Sequence, residues 1–246
     1  MESFILLPMM ETKVSCDWLE QSVSEYFQPV RVLKDIPGRR IELIRHRETG
    51  LVLVLRRSPG DPAVYRELMK ISSPYLPRIY EVAAREGRLL VLEEYIQGDS
   101  LREVLTGGCL SVDETRRVAL QLCEALRILH RLGAVHQDVK PENVILRGAD
   151  AVLIDFDASR VLKADQSADT VILGTTGYAA PEQYGLSQTD GRADIYSLGI
   201  MMNVMLTGEH PSRHPAGGHL GRVISRCTMA SPDHRYPDIE HLMEAI

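Results

Sequence analysis

Between residues 30 and 57 the apolar residues gather in three short β-like runs, VRVLKDI, IELIRH and LVLVLRR. PGRR and RETG separate them, and their Pro and Gly mark turns, so an antiparallel meander is expected. Two more runs, PRIYEVAA and RLLVLEEYI, flank the turn REGR. Between the two groups, GDPAVYRELMKI offers Asp61 as an N-cap and Pro62 as the first residue of a short helix. Residues 30–96 therefore read as a small β-rich lobe with one helix. Ahead of it, in an extension of residues 1–29, ETKVSCDWLEQSVSEYF carries Val14, Trp18, Val23 and Phe27 at loosely helical spacing. That predicts a peripheral helix packed on the β-rich lobe.

Beyond Gly98 the pattern changes from period two to the helical period. SVDETRRVALQLCEALRILHRLG opens with Ser111 and Glu114 in capping-box spacing and ends at Gly133. Val118, Leu122, Ala125, Leu126 and Leu129 fall on one face of that helix, the face expected to be buried. Downstream, RADIYSLGIMMNVMLTG is apolar nearly all round, as a helix at the centre of a helical lobe would be. Between these helices NVILRGADAVLIDFD pairs as a hairpin, with Leu146 opposite Ala151 across RGAD. The whole is an α+β chain, with an α-rich lobe over residues 97–246.

Composition narrows the classes of function. With 28 Lys+Arg against 34 Asp+Glu and a formal net charge of -6, a general nucleic-acid binder is disfavoured. Cys16, Cys109, Cys123 and Cys227 lie far apart with no C-x-x-C pair, which suits free thiols in a reducing, cytoplasmic setting better than a disulfide framework or zinc site. The opening MESFILLPMM lacks a basic leading region and is broken by Pro8, so neither a signal peptide nor a membrane segment is expected. The oligomeric state is not legible.

The candidate chemistry lies in GAVHQDVKPENVIL and the adjoining hairpin. If Leu146 faces Ala151, Asn143 and Asp155 come together at the hairpin's open end, two oxygen ligands suited to a hard cation. In the same loop Asp138 could accept a hydroxyl proton, and Lys140 could neutralise a transferring phosphoryl group.

HQDVKPEN, IDFD, GTTGYAAPE and DIYSLG stand in the order and spacing of the Hanks-type (eukaryotic-like) Ser/Thr protein kinases, which the chain resembles over roughly residues 30–246. The resemblance implies a bilobal kinase fold, with ATP and Mg²⁺ (or Mn²⁺) and a protein substrate presenting Ser or Thr. It implies Asp138 as catalytic base, Lys140 as a γ-phosphate contact, and Asn143 and Asp155 as metal ligands. It also implies that Thr175 bonds Asp138 and Lys140, that Glu182 pairs with Arg235, and that Asp194 braces the catalytic loop. In VLEEYIQGDSL it places the adenine-binding strand and hinge, with Glu93 at the back of the pocket and backbone groups of Glu94 and Ile96 contacting adenine.

The chain departs from that pattern in four places. KDIPGRR holds a single Gly38 where a glycine-rich phosphate loop should stand, with Arg39 or Arg40 as a substitute charge or a solvated turn. Arg56 replaces the phosphate-binding lysine of the third strand, a planar fork in place of a point charge. Glu67 is the candidate helix partner of that cation, with a solvated position as the equal alternative. HRD becomes HQD and DFG becomes DFD, so Gln137 removes the arginine that would read a phosphorylated activation segment, while Asp157 leaves Asp155 intact. Ser159, Ser167, Thr170 and Thr175 are hydroxyls of that segment. Three readings are open: an active Ser/Thr protein kinase; a pseudokinase that binds nucleotide and scaffolds a partner; and a small-molecule phosphotransferase, disfavoured by the GTTGYAAPE segment.

Overall fold

A computed structural model of the chain describes residues 15–161, 175–185 and 189–246. Val14, Ser167 and Thr170 lie outside the described residues. The chain forms two compact units: one of the residues up to Ser72 with Arg78–Tyr95, the other of Ser73–Pro77 with Ile96–Ile246.

The first unit is built on a sheet. Helix α1 (Cys16–Tyr26) starts at Ser15, whose Oγ accepts from the Trp18 N–H at 3.1 Å. Then come β1 (Phe27–Ile36), β2 (Arg39–His46), β3 (Val52–Pro59), the short helix α2 (Ala63–Leu68), β4 (Ile79–Arg85) and β5 (Arg88–Glu94). The strands stand in the order β1-β2-β3-β5-β4, all antiparallel. The expected meander therefore holds for the first three strands, and β5 inserts between β3 and β4.

Helix α1 belongs to this unit and gives it a second helix. Its buried residues are Cys16, Leu19, Ser22 and Val23, spaced at three and four. Cys16, Leu19 and Val23 pack with Ile44, Leu53, Leu55, Ala83, Leu90 and Leu92. The sequence pattern put Trp18 and Phe27 on the buried face of that helix. In the structure Trp18 is only partly buried and Phe27 opens β1, where its ring joins the same core. Ions add to the contact: Glu20 receives Arg57 Nε and Nη2, both at 2.8 Å, and Arg88 Nη2 at 2.7 Å, while Arg57 also bonds Glu42. The Arg57 hydrogen bonds hold the Glu20 carboxyl below its ordinary range. The opposite face of the sheet carries Ile41, Leu43 and Val54, with Val52 and Tyr95 beside them.

Helix α2 begins one residue later than its sequence suggested. Pro62 precedes it, and Asp61 Oδ1 still accepts from the Ala63 N–H at 2.9 Å. The β1–β2 turn is a tight one, with Ile36 opposite Arg39 and Gly38 at φ 78°, so the chain has no long loop there for backbone amides to wrap a phosphate.

The second unit holds β6 (Asp99–Ser100), α3 (Leu101–Thr106), α4 (Val112–Arg131), β7 (Ala134–Val135), β8 (Val144–Arg147), β9 (Asp150–Leu153), β10 (Arg160–Val161), α5 (Gly191–Thr207), α6 (Gly218–Cys227) and α7 (Ile239–Ala245). Helix α4 carries the anticipated capping box: Ser111 N–H donates to Glu114 Oε2 at 2.9 Å, and Ser111 Oγ accepts from Glu114 N–H at 3.3 Å. Its anticipated face, Val118, Leu122, Ala125, Leu126 and Leu129, is buried. Helix α5 is buried nearly all round, from Ala193 to Met205. At Gly199 an added Cβ would stand 2.5 Å from Cys227 Cβ, so glycine is what lets α5 and α6 approach. Among the described residues no helix is long and apolar enough to cross a membrane.

Glu182 and Arg235 form the anticipated ion pair, at 2.6 Å and 2.9 Å. The guanidinium is enclosed and spends its remaining donors on the carbonyls of Met229, Ala230 and Arg192. A buried charge is tolerated only when satisfied in this way. Glu182→Gln should therefore lower the unfolding free energy by about 3 kcal/mol. Asp233→Asn, which removes the exposed partner of Arg192, should cost less than about 1 kcal/mol. Urea unfolding midpoints compare the two directly, and equal midpoints would contradict this assignment. Leu19→Ala should cost about 2–5 kcal/mol in the same assay, because Leu19 is fully enclosed between α1 and the sheet.

Candidate active site

The polar loop between β7 and β8 is shaped from below by α5. Asp194, in the first turn of that helix and wholly buried, accepts the backbone N–H of His136 at 2.9 Å through Oδ2 and that of Gln137 at 2.9 Å through Oδ1. His130 of α4 bonds the same Oδ2 at 2.8 Å. Gln137 sits at φ 67°, a left-handed conformation that side chains larger than glycine seldom adopt. It is held there from both sides, since its carbonyl also accepts from Gln183 Nε2 at 2.8 Å. Strain of about 1–3 kcal/mol persists only where the surroundings over-determine it, and here they do.

His136 is fully enclosed. Its Nδ1 accepts from the Asp138 N–H at 3.3 Å, which leaves Nε2 as the donor to the Ile154 carbonyl, also at 3.3 Å. Burial pushes the imidazole below its ordinary range, so the neutral form with the proton on Nε2 satisfies both bonds. One buried ring thus ties the turn bearing Asp138 to the residue before Asp155.

The functional side chains converge on the Asp138 carboxylate. Lys140 Nζ donates to Oδ2 at 2.7 Å and to Thr175 Oγ1 at 2.6 Å, and Thr175 donates to Oδ1 at 2.6 Å. Asn143 Nδ2 adds bonds to Oδ2 at 3.0 Å and to the Asp138 carbonyl at 2.9 Å. An ionised carboxylate is an acceptor only, and these donors fix both of its oxygens in orientation. Asp138 and Lys140 remain about a sixth exposed, with side-chain exposures of 17% and 18%. The group is therefore positioned by protein and still open to a reactant.

The hairpin has the anticipated register, Leu146 opposite Ala151 and Val144 opposite Leu153. It runs one rung further, because Ile154 N–H donates to the Asn143 carbonyl at 2.9 Å. Asp155 comes next at φ 67°, with Asp157 N–H on its Oδ1 at 3.4 Å. Asn143 turns its amide nitrogen to Asp138, so its oxygen is the end with ligand character. Among the described residues no three His, Cys, Asp or Glu side chains form a cage for a metal. An amide oxygen and a carboxylate fit a hard cation that completes its shell with phosphate and water.

Sequence reasoning did not find the pairing of Gln137. With the amide oxygen and nitrogen assigned to suit their neighbours, the oxygen accepts from Arg160 Nε at 3.0 Å and Nη2 at 3.3 Å, and the nitrogen donates to the Ala158 carbonyl at 3.1 Å. The side chain that replaces an arginine in HRD is thereby bound to an arginine further along the chain. Nothing in the sequence spacing signals this, since it depends on β10 pairing with β7.

In the sheet unit, Arg56 is buried on β3 and donates through Nη2 to Glu93 Oε1 on β5 at 3.0 Å. Glu67 is turned outward, its two oxygens on Lys70 Nζ at 2.8 Å and 2.9 Å. Of the alternatives left open for Glu67, the solvated one is therefore correct. Arg40 is engaged by acids of its own hairpin, Asp35 at 2.9 Å and Glu42 at 3.2 Å. Glu94 ends β5 and its N–H donates to the Arg78 carbonyl at 2.8 Å. Ile96, two residues on, is buried in the second unit.

Comparison with known proteins agrees with this picture. The family "Protein kinase domain" matches residues 63–243. Serine/threonine-protein kinase D of Synechocystis is 26% identical, over 86% of this chain and 47% of its own length. The probable serine/threonine-protein kinase pknA2 of Bifidobacterium longum is 37% identical, over 57% of this chain and 19% of its own length. Serine/threonine-protein kinase PknB of Mycobacterium leprae is 30% identical, over 74% and 30%. The chain thus spans between about a fifth and a half of these curated relatives. With a matching family over most of its length, and a fold to suit, the chain belongs to the protein kinase domain family.

Proposed function

We propose that the chain transfers the γ-phosphoryl group of ATP to a Ser or Thr hydroxyl of a protein substrate. The observation that carries this reading is the Asp138 carboxylate, bonded at once by Lys140, Thr175 and Asn143. In this role Asp138 orients the attacking hydroxyl and takes its proton. Lys140, a cation shared with Thr175, meets the negative charge that spreads over the moving phosphoryl group. Thr175 links the two and holds the carboxylate's second oxygen. Asn143 and Asp155 are the ligands we assign to Mg²⁺ or Mn²⁺, which when bound neutralises charge on the phosphate oxygens. Arg56 is assigned to the phosphates, and the backbone of Glu94 and Ile96 to adenine. The relatives' names support Ser/Thr as acceptor, and four free cysteines suit a reducing, cytoplasmic setting.

A second reading, a nucleotide-binding pseudokinase, has one specific observation in its favour: the tight β1–β2 turn at Gly38 offers phosphates little backbone cover. Incubation with γ-labelled ATP, Mg²⁺ and a generic basic protein separates the two. The kinase reading expects label on Ser or Thr, absent from Tyr, with a rate that falls by roughly 10²–10⁴ in Asp138→Asn. Thermal stabilisation by Mg·ATP without any transfer would overturn it in favour of the pseudokinase.

A further inference from the structure

The sheet unit carries a buried ion pair that sequence reasoning did not foresee, and its geometry says what it is for once Arg56 is taken, on the proposed function, to meet the phosphates of ATP. Across β3 and β5, Val54 stands opposite Glu93 and Arg56 opposite Val91. Arg56 and Glu93 are therefore diagonal neighbours on one face, within reach of long side chains. It is the face of Ile41, Leu43 and Val54, turned away from α1, which packs instead on Leu53, Leu55, Leu90 and Leu92. Arg56 is 3% exposed and Glu93 4%. A carboxylate in the apolar run LLVLEEY would cost heavily to bury alone, and the bond from Arg56 Nη2 to Glu93 Oε1 at 3.0 Å is its compensation. Glu67, by contrast, is 42% exposed on α2 and bound to Lys70 three residues on.

We propose that Glu93 is the positioning residue for Arg56, so that the phosphate-binding cation of the sheet unit is oriented by strand register and not by a glutamate on a helix. The chemistry of the arginine fits this arrangement. A guanidinium presents five donors in a rigid fork, so one edge can meet a carboxylate while another addresses a phosphate. An ammonium on a flexible stem has no such fixed second edge. A glutamate facing inward on β5 requires a cation, and Arg56 on β3 supplies one. Both partners sit on adjacent, hydrogen-bonded strands, so displacement of α2 leaves the bond between Arg56 and Glu93 intact.

The test combines equilibrium binding of Mg²⁺ with a non-transferable ATP analogue and steady-state KM and kcat for Mg·ATP, using the full chain. Glu93→Gln should weaken binding and raise KM by about tenfold while kcat stays within about threefold, the signature of lost ground-state positioning. Glu93→Asp, which keeps the charge on a shorter stem, should fall between that variant and the parent, at about threefold. Glu67→Gln should leave binding within about twofold of the parent. A tenfold loss in Glu67→Gln, or parental binding in a folded Glu93→Gln, overturns the proposal. If Glu93→Gln does not fold, Glu93→Asp decides, and parental affinity there is equally contrary. Absence of transfer by the parent chain would overturn the kinase reading, and the binding arm then judges Glu93 by itself.

Discussion

A carboxylate with no exposed surface organises the helical unit's chemistry. Asp194 accepts two successive backbone N–H groups, those of His136 and Gln137, and so turns the chain back on itself just before Asp138. That turn is not one the backbone would choose, since Gln137 lies at φ 67°. The helix that supplies Asp194 is buried nearly all round, so the brace rests on an element that is itself held by the core. The remaining contacts build on it in order: His136 reaches Ile154, Asp138 meets Lys140, Thr175 and Asn143, and the β8–β9 hairpin brings Asp155 into the same neighbourhood. A strained loop fixed by a buried acid is how a polar constellation keeps its geometry before any reactant arrives.

Much of this was legible in the residues because the relevant contacts are local. The hairpin register came from one turn, RGAD, and α4 from a capping box and one apolar face. Asp138, Lys140 and Asn143 lie within a single loop, so their proximity needs no knowledge of topology. The parts that stayed hidden depend on elements distant in sequence. Arg56 meets Glu93 only because β5 inserts beside β3, an order that hydrophobic periodicity does not encode. An inward charge in each of two apolar strands was nonetheless a signal that the two strands are partners. The face of α1 differs for another reason: the spacing of Val14, Trp18, Val23 and Phe27 includes Val23 but not Cys16 and Leu19, which complete the buried stripe, while Trp18 is only partly buried and Phe27 is the first residue of a strand.

The departures from the family pattern are of two kinds. Replacement of HRD by HQD and of DFG by DFD alters residues around the acceptor carboxylate, yet the bonds to Asp138 and the bracing by Asp194 are all formed. Gln137 finds its own partner in Arg160. On the proposed function, the substitutions in the sheet unit bear on how phosphate would be held: a tight turn stands in place of a glycine-rich loop, and an arginine bonded to a strand glutamate in place of a lysine. Losses of this second kind weaken positioning without removing a reacting group, and positioning is graded where chemistry is not.

On the proposed function Asp138 takes the hydroxyl proton because its neighbours hold its carboxylate in place, and Thr175 is the neighbour that bonds Oδ1. The direct measurement is the single-turnover rate of phosphoryl transfer in Thr175→Val, which keeps the shape and deletes the hydroxyl that donates to Asp138 Oδ1 at 2.6 Å. Loss of one hydrogen bond to a charged group, about 1.5–3 kcal/mol, predicts a rate lower by roughly 10–100-fold with Mg·ATP affinity unchanged. A parental rate in that variant would contradict the account.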